Sequence, residues 1–329
     1  MVRSATLLHS IDPVAPRGDV PPPGEFIGGC GHRLHVTCLG EGWPAVVLES
    51  GVAASSLSWA RVQPAIAPFA STCAYDRAGL GWSDPASSPR TFVRILDDLR
   101  AVVARAGTGP WIALGSGSPV ILVGHSFGSL VVRGYAERHP DQVAGLVLVD
   151  PPSEWIGAEP GRARLIRRAR QASAIGEFLA RIGVVRASLA LLAGGHPGAP
   201  RAFVKLLGRR ASSTLERLVG EVRKLPPELY PAVQSHWCQP KCFRAMGDYL
   251  RILDEEAADL AAIAPPPDIP VVVISGGHQP PSEIAAHRRL AAASPRGRHV
   301  IAAKSGHWFN FDQPEVIVDA VRGLIALTA

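Results

Sequence analysis

Short apolar runs closed by glycine, proline or an acid alternate along this chain with longer stretches whose apolar positions recur every three or four residues. "RLHVTCLG", "AVVLESG" and "TCAYD" have the length and composition of strands, and the glycine-rich "RAGLGWSD" follows the third. "FVRILDDLRAVVARAG" repeats at helical spacing. "VILVGHS" is apolar at its first four positions, "LVVRGYAERHP" is a helix ending before Pro140, and "VAGLVLVD" is the next strand. Near-continuous apolar strands separated by helices predict a mostly parallel sheet buried on both faces.

After Pro151 the rhythm changes: the chain is helical in period, poor in strands, and closed by the Pro-rich "APPPDIP". Alternation then resumes with the strand "VVVIS", the helix "SEIAAHRRLAAAS", the strand "RHVIAAKSGH" and the final helix "PEVIVDAVRGLIALTA". The expected organisation is a Pro-rich arm over residues 1–24, an α/β core over 25–151 and 265–329, and a helical cap over 152–264. An insertion between two strands of one open sheet lies over the carboxyl ends of the strands, the edge where such sheets bind ligands.

The residues "ILVGHSFGSL" carry the candidate chemistry. Ser126 stands in a G-x-S-x-G pattern between a strand and a helix, the context in which that pattern forms a nucleophile elbow. Gly124 and Gly128 leave no side chain to collide as strand and helix close around the serine, and the helix N-terminus directs N–H groups at a developing oxyanion. A serine nucleophile needs a base at the same edge. His307, between the last strand and the last helix, fits best; His278 also follows a strand, and His125 adjoins the serine but is expected to point away from it. The acid is less determined. The loop after "VVVIS" reads "GGHQPPSE" and holds no Asp. Asp150, ending a strand and followed by two prolines, is the first candidate, Glu283 the alternative, and a cap residue the remaining possibility.

"VVLESG", "CAYDRAGLGWSD", "ILVGHSFGSLVVRGYAERHPDQVAGLVLVDPP" and "SGHWFNFDQPEVIVDAV" together resemble the serine hydrolases of the α/β-hydrolase fold, in order and spacing, over about residues 26–150 and 265–329. The cap is not covered. The resemblance implies an oxyanion hole made by the backbone N–H groups of Phe127 and Val52, and structural roles for Asp76 and Arg77 beside it. It also implies an acyl-enzyme mechanism on a small-molecule acyl substrate, most simply an ester, with other acyl bonds (lactone, thioester, amide, activated C–C) as the alternative and a non-catalytic binding protein as a further one. Haloalkane dehalogenases and epoxide hydrolases share the fold but need a carboxylate nucleophile, where this chain has Ser126.

Composition changes this picture little. The 329 residues carry a net charge of +6, but residues 161–224 alone carry +11, leaving −5 elsewhere. The arginines there alternate with apolar residues at helical spacing and aromatics are almost absent, so the expectation is a solvated helix face and no nucleic-acid partner. Among five cysteines, Cys30, Cys38 and Cys73 sit in apolar strand-like contexts and are expected as buried thiols. Cys238 and Cys242 are spaced for a bridge or a metal ligand pair, with no second Cys/His pair beside them, so neither metal nor cofactor is expected. No apolar run approaches the roughly 18 residues that span a bilayer; neither a signal peptide nor a transmembrane segment is expected, and the cytoplasm is the default location.

Overall fold

The computed structural model of the chain describes residues 20–108, 118–152, 160–187, 224–263 and 268–328. Eight strands form one sheet: β1 (Glu25–Gly28), β2 (Arg33–Leu39), β3 (Val46–Glu49), β4 (Thr72–Tyr75), β5 (Val120–His125), β6 (Val143–Val149), β7 (Val271–Gly276) and β8 (Gly297–Ala302), in the order β1-β2-β4-β3-β5-β6-β7-β8. Pairing is antiparallel from β1 to β2 and from β2 to β4, and parallel from there to β8. β1 was not legible as a strand; only one of its four residues is even half-buried, so it shows no apolar periodicity.

Ten helices accompany the strands among the described residues. They are α1 (Gln63–Ile66), α2 (Phe92–Ala106), α3 (Phe127–Arg138), α4 (Pro160–Arg181), α5 (Tyr230–Trp237), α6 (Pro240–Glu255), α7 (Ala257–Ala262), α8 (Pro281–Ala292), α9 (Phe309–Asp312) and α10 (Pro314–Ile325). Side chains of α2, α3 and α6 join one apolar core on one face of the sheet, and side chains of α1 and α10 join a second core on the other. The central strands β3, β5 and β7 are buried at every position, which is why they read as unbroken apolar runs. α2 begins on Thr91, whose side chain accepts from the N–H of Arg94.

The described part of the insertion between β6 and β7 is helical. It is tied to the loop after β4 by Lys241 Nζ donating to Ser83 O (2.7 Å) and Tyr249 Oη donating to Ala78 O (2.9 Å). Most of the basic stretch, residues 188–223, lies outside the described residues, as do residues 1–19 of the expected arm. The described end of that arm is tied to the loop after β4: Val20 O accepts from Trp82 Nε1 at 2.9 Å.

One expectation is corrected. Cys38 and Cys73 are not free thiols but a disulfide, across the antiparallel pair β2–β4 in which they are direct register partners. Their 35-residue separation conceals a contact that only strand pairing creates. Cys30, Cys238 and Cys242 are free. Among the described residues no group of three His, Cys, Asp or Glu is arranged to hold a metal, and no helix is long and apolar enough to cross a membrane.

Candidate active site

Ser126 leaves β5 at φ 52° and ψ −120°, a conformation rarely adopted by a residue with a side chain. The turn is held by the Ser126 N–H donating to Val149 O (2.8 Å) and by Ser129 Oγ donating to Gly124 O (2.6 Å). It closes only because the flanking residues are glycines. A Cβ on Gly124 would strike the carbonyl of Gly128, and one on Gly128 would strike the carbonyl of Glu49.

Asp150 leaves the adjacent strand β6 and is almost fully buried. His307, on the turn after β8, donates its Nδ1–H to Asp150 Oδ2 at 2.5 Å. The same oxygen accepts Gln279 Nε2–H at 2.6 Å. Asp150, not Glu283, is thus the carboxylate against His307; Glu283 stands in the first turn of α8. Gln279 carries no signal of its own in the sequence beyond its place in the loop after β7, where it puts an amide at the position an acid was expected to fill. His278 is exposed and does not line the cavity that contains Ser126.

His125 departs from its expected orientation. It is buried and lines the same cavity as Ser126 and His307, and its Nε2–H donates to the backbone carbonyl of His307 at 2.7 Å. Burial, followed by the proximity of His307, lowers its pKa to about 3, so the ring is neutral and fixed as the Nε2–H tautomer. It thereby ties the loop of His307 to the residue preceding Ser126.

The Gly51–Val52 side of the cavity is built on a buried ion pair. Arg77 Nη1 contacts Glu49 and donates to Ser50 O at 2.6 Å, and its Nη2 donates to Gly51 O. The guanidinium also lies over the rings of Phe127 (5.2 Å) and Tyr249 (4.8 Å). Val52 therefore follows a segment whose carbonyls are drawn toward Arg77. The N–H groups of Val52 and Phe127 donate to no protein acceptor among the described residues. Asp76 accepts from the N–H groups of Ser56 (2.7 Å) and Trp82 (3.0 Å) and from His35 Nδ1 (2.9 Å). Burial opposes its ionisation, but His35 and those N–H groups outweigh it and hold its carboxyl below the ordinary value. Asp76 and Arg77 thus tie the loops on either side of the cavity.

That cavity, of about 170 Å³, is bounded by Ser126 and His307 on the sheet side and by Leu225, Val233, His236 and Trp237 from the insertion. No Asp, Glu, Lys or Arg lines it among the described residues. A hydroxyl at a strained turn, an imidazole oriented by a buried carboxylate and two unclaimed N–H groups are the parts that nucleophilic acyl transfer requires. No hydrogen bond joins Ser126 to His307 in this structure.

Residues 44–314 match the model of the alpha/beta hydrolase fold. Lipase LipV of Mycobacterium tuberculosis is 36% identical over 141 residues, covering 43% of this chain and 49% of that protein. A haloalkane dehalogenase of Sphingobium indicum is 32% identical over 138 residues, covering 40% of this chain and 44% of that one. Among solved structures, a thermophilic esterase from Thermogutta terrifontis superposes with a TM-score of 0.58 at 19% identity, covering 92% of this chain and 96% of the esterase. The matches span only a sixth to a half of the length of the curated relatives.

Proposed function

The chain belongs to the α/β-hydrolase fold family, and we propose that it is a serine hydrolase that cleaves a carboxylic ester of a small to medium, largely apolar substrate. Ser126 Oγ adds to the carbonyl carbon and passes its proton to His307 Nε2, while Asp150 holds Nδ1–H and stabilises the imidazolium. The N–H groups of Val52 and Phe127 receive the oxyanion; one such donor is worth about 3 kcal/mol of barrier. Collapse expels the alcohol, which takes the proton from His307. A water then gives a proton to His307 and attacks the acyl-enzyme, releasing the acid and returning the proton to Ser126. The helices between β6 and β7, within residues 152–264, act as a cap over this site, with residues 25–151 and 265–329 as the core.

The observation that carries this reading is the 2.5 Å contact between His307 and the buried Asp150, beside the cavity that Ser126 and His307 share. The uncharged lining favours a neutral substrate, and the lipase and esterase among its relatives support ester chemistry. Serine at the nucleophile position argues against the carboxylate-based dehalogenase route. A lactone, thioester, amide or activated C–C bond would use the same residues and is the second reading.

The test is a fluorophosphonate probe followed by p-nitrophenyl esters of increasing chain length, with a lactone and a thioester alongside. Covalent labelling at Ser126 that is lost in Ser126→Ala, with fastest turnover on an uncharged ester, is the expected result. A folded protein whose Ser126 is not labelled would leave only a binding role.

A further inference from the structure

Behind the candidate acid lies a hydrogen-bonded chain that the proposed chemistry does not use. His287 of α8 is buried, 1% exposed. Its Nε2 is 2.7 Å from the carbonyl of Pro151, its Nδ1 is 2.8 Å from Ser275 Oγ, and Ser275 Oγ is 2.7 Å from His299 Nε2. A carbonyl only accepts, so His287 carries its proton on Nε2. Ser275 Oγ bridges the other ring nitrogen, Nδ1, to His299 Nε2. Burial, with His287 and Arg288 nearby, lowers the His299 pKa, in keeping with a neutral ring at that end. The chain therefore links His299 through Ser275 and His287 to the residue after Asp150.

Its end point matters because of the backbone it holds. Asp150 has φ 47°, which a non-glycine residue keeps only where its surroundings over-determine it. Its N–H donates to Ile274 O at 2.9 Å, and Pro151 has no N–H to contribute. The His287 bond to Pro151 O therefore clamps the other side of the corner. Asp150 Oδ1 is buried, accepts no hydrogen bond, and lies 4.0 Å from His287 Nδ1. The contact of Nδ1 with Ser275 Oγ, at 2.8 Å, is the shorter of the two, so His287 engages Ser275 and not the carboxylate.

We propose that His287 is a positioning residue: it holds the strained Asp150 corner so that Oδ2 meets His307 Nδ1, with Ser275 steadying the ring from its other nitrogen. The inference rests on the hydrolase reading for its rate measurement only. The second readout is the proton between His307 Nδ1 and Asp150 Oδ2, followed in one-dimensional proton NMR as a far-downfield resonance that is absent from His307→Ala.

The experiment compares His287→Leu, His287→Gln and Ser275→Ala with the wild type, each checked for folding by circular dichroism. His287→Leu is expected to lower kcat about 10- to 100-fold, the range typical of residues that orient a functional group from behind, with little change in KM, and to shift or abolish the downfield resonance. His287→Gln retains an N–H for Pro151 O and should recover most of both. Folded His287→Leu with kcat and resonance unchanged would overturn the proposal. If that variant does not fold, Ser275→Ala, which removes the partner of His287 Nδ1, takes its place, and an unshifted resonance with unchanged kcat there would overturn the proposal equally. Should the wild type hydrolyse no ester, the function proposed above fails, and the resonance alone still decides the role of His287.

Discussion

Ser126 and Asp150 leave neighbouring parallel strands at positive φ, 52° and 47°, and are the two non-glycine residues with positive φ among the described residues. Each anchors its N–H on the strand beyond: Ser126 on Val149 O at 2.8 Å, Asp150 on Ile274 O at 2.9 Å. The carboxyl edge of the sheet is thus a stair of two strained corners, one carrying the candidate nucleophile and the next its acid. Each corner costs about 1 kcal/mol or more, which the buried strands on either side sustain.

Asn is among the residues that tolerate this backbone region, so Asp150→Asn should fold while removing the charge that orients His307. A fall of about 10³- to 10⁴-fold in kcat is expected on the best p-nitrophenyl ester, in line with the loss of an orienting carboxylate elsewhere. Glu283→Gln should stay within about twofold of wild type, and damage from that change alone would reassign the acid.

The elbow glycines are needed for lack of space. Gly128→Ala would drive a methyl into the carbonyl of Glu49, a backbone atom that cannot turn aside. A loss of at least about 3 kcal/mol in urea unfolding is expected, at the upper end of overpacking. Gly323, exposed in α10 with open space at its Cβ position, offers the contrast. Gly323→Ala should raise stability by about 0.5–1 kcal/mol, because alanine loses less backbone entropy in a helix.

His125 makes stability fall on the acid side. Its pKa drops from 6.5 to about 3 on folding, because burial penalises the cation. Between those values the unfolded chain binds a proton that the folded chain does not, so stability declines as pH falls from 6.5, by about 1.4 kcal/mol per unit. At pH 4.5 the contribution is about 2.7 kcal/mol. Urea midpoints of wild type and His125→Gln, measured from pH 7 to 4.5, should converge as the pH drops. Parallel curves would show that the ring is not buried neutral.

The Cys38–Cys73 bridge predicts that alkylation of the protein unfolded without reductant reaches three of the five cysteines, and all five once it is also reduced. Closing a 35-residue separation is worth about 4 kcal/mol in a chain-entropy treatment, so reduction should lower the urea midpoint markedly. Mass spectrometry of the alkylated protein reads the count directly. Five labels before reduction would mean that the pair is open.

The strand, elbow and helix around Ser126 were legible because their signals are local. Four apolar residues, two glycines and an amphipathic stretch lie within about twenty positions and dictate each other's conformation. His307 was legible for a related reason, since its place between the last strand and the last helix already assigned it an edge. Asp150 was one of several open candidates: a carboxylate ending a strand looks the same whether or not a histidine meets it. Gln279, the His125 contact and the Cys38–Cys73 bridge were not legible, and β1 was missed for want of apolar periodicity.

The sequence by itself determined seven of the eight strands, the main helices of the core and the one turn sharp enough to expose a serine, because these follow from side-chain periodicity and glycine sterics over a few residues. The tertiary structure decided the rest: that β2 and β4 run antiparallel with their cysteines in register, and that Asp150 reaches His307 across 157 positions with Gln279 on the same oxygen. Such contacts depend on strand order and on close packing between distant segments, and no local pattern encodes which buried groups will meet there.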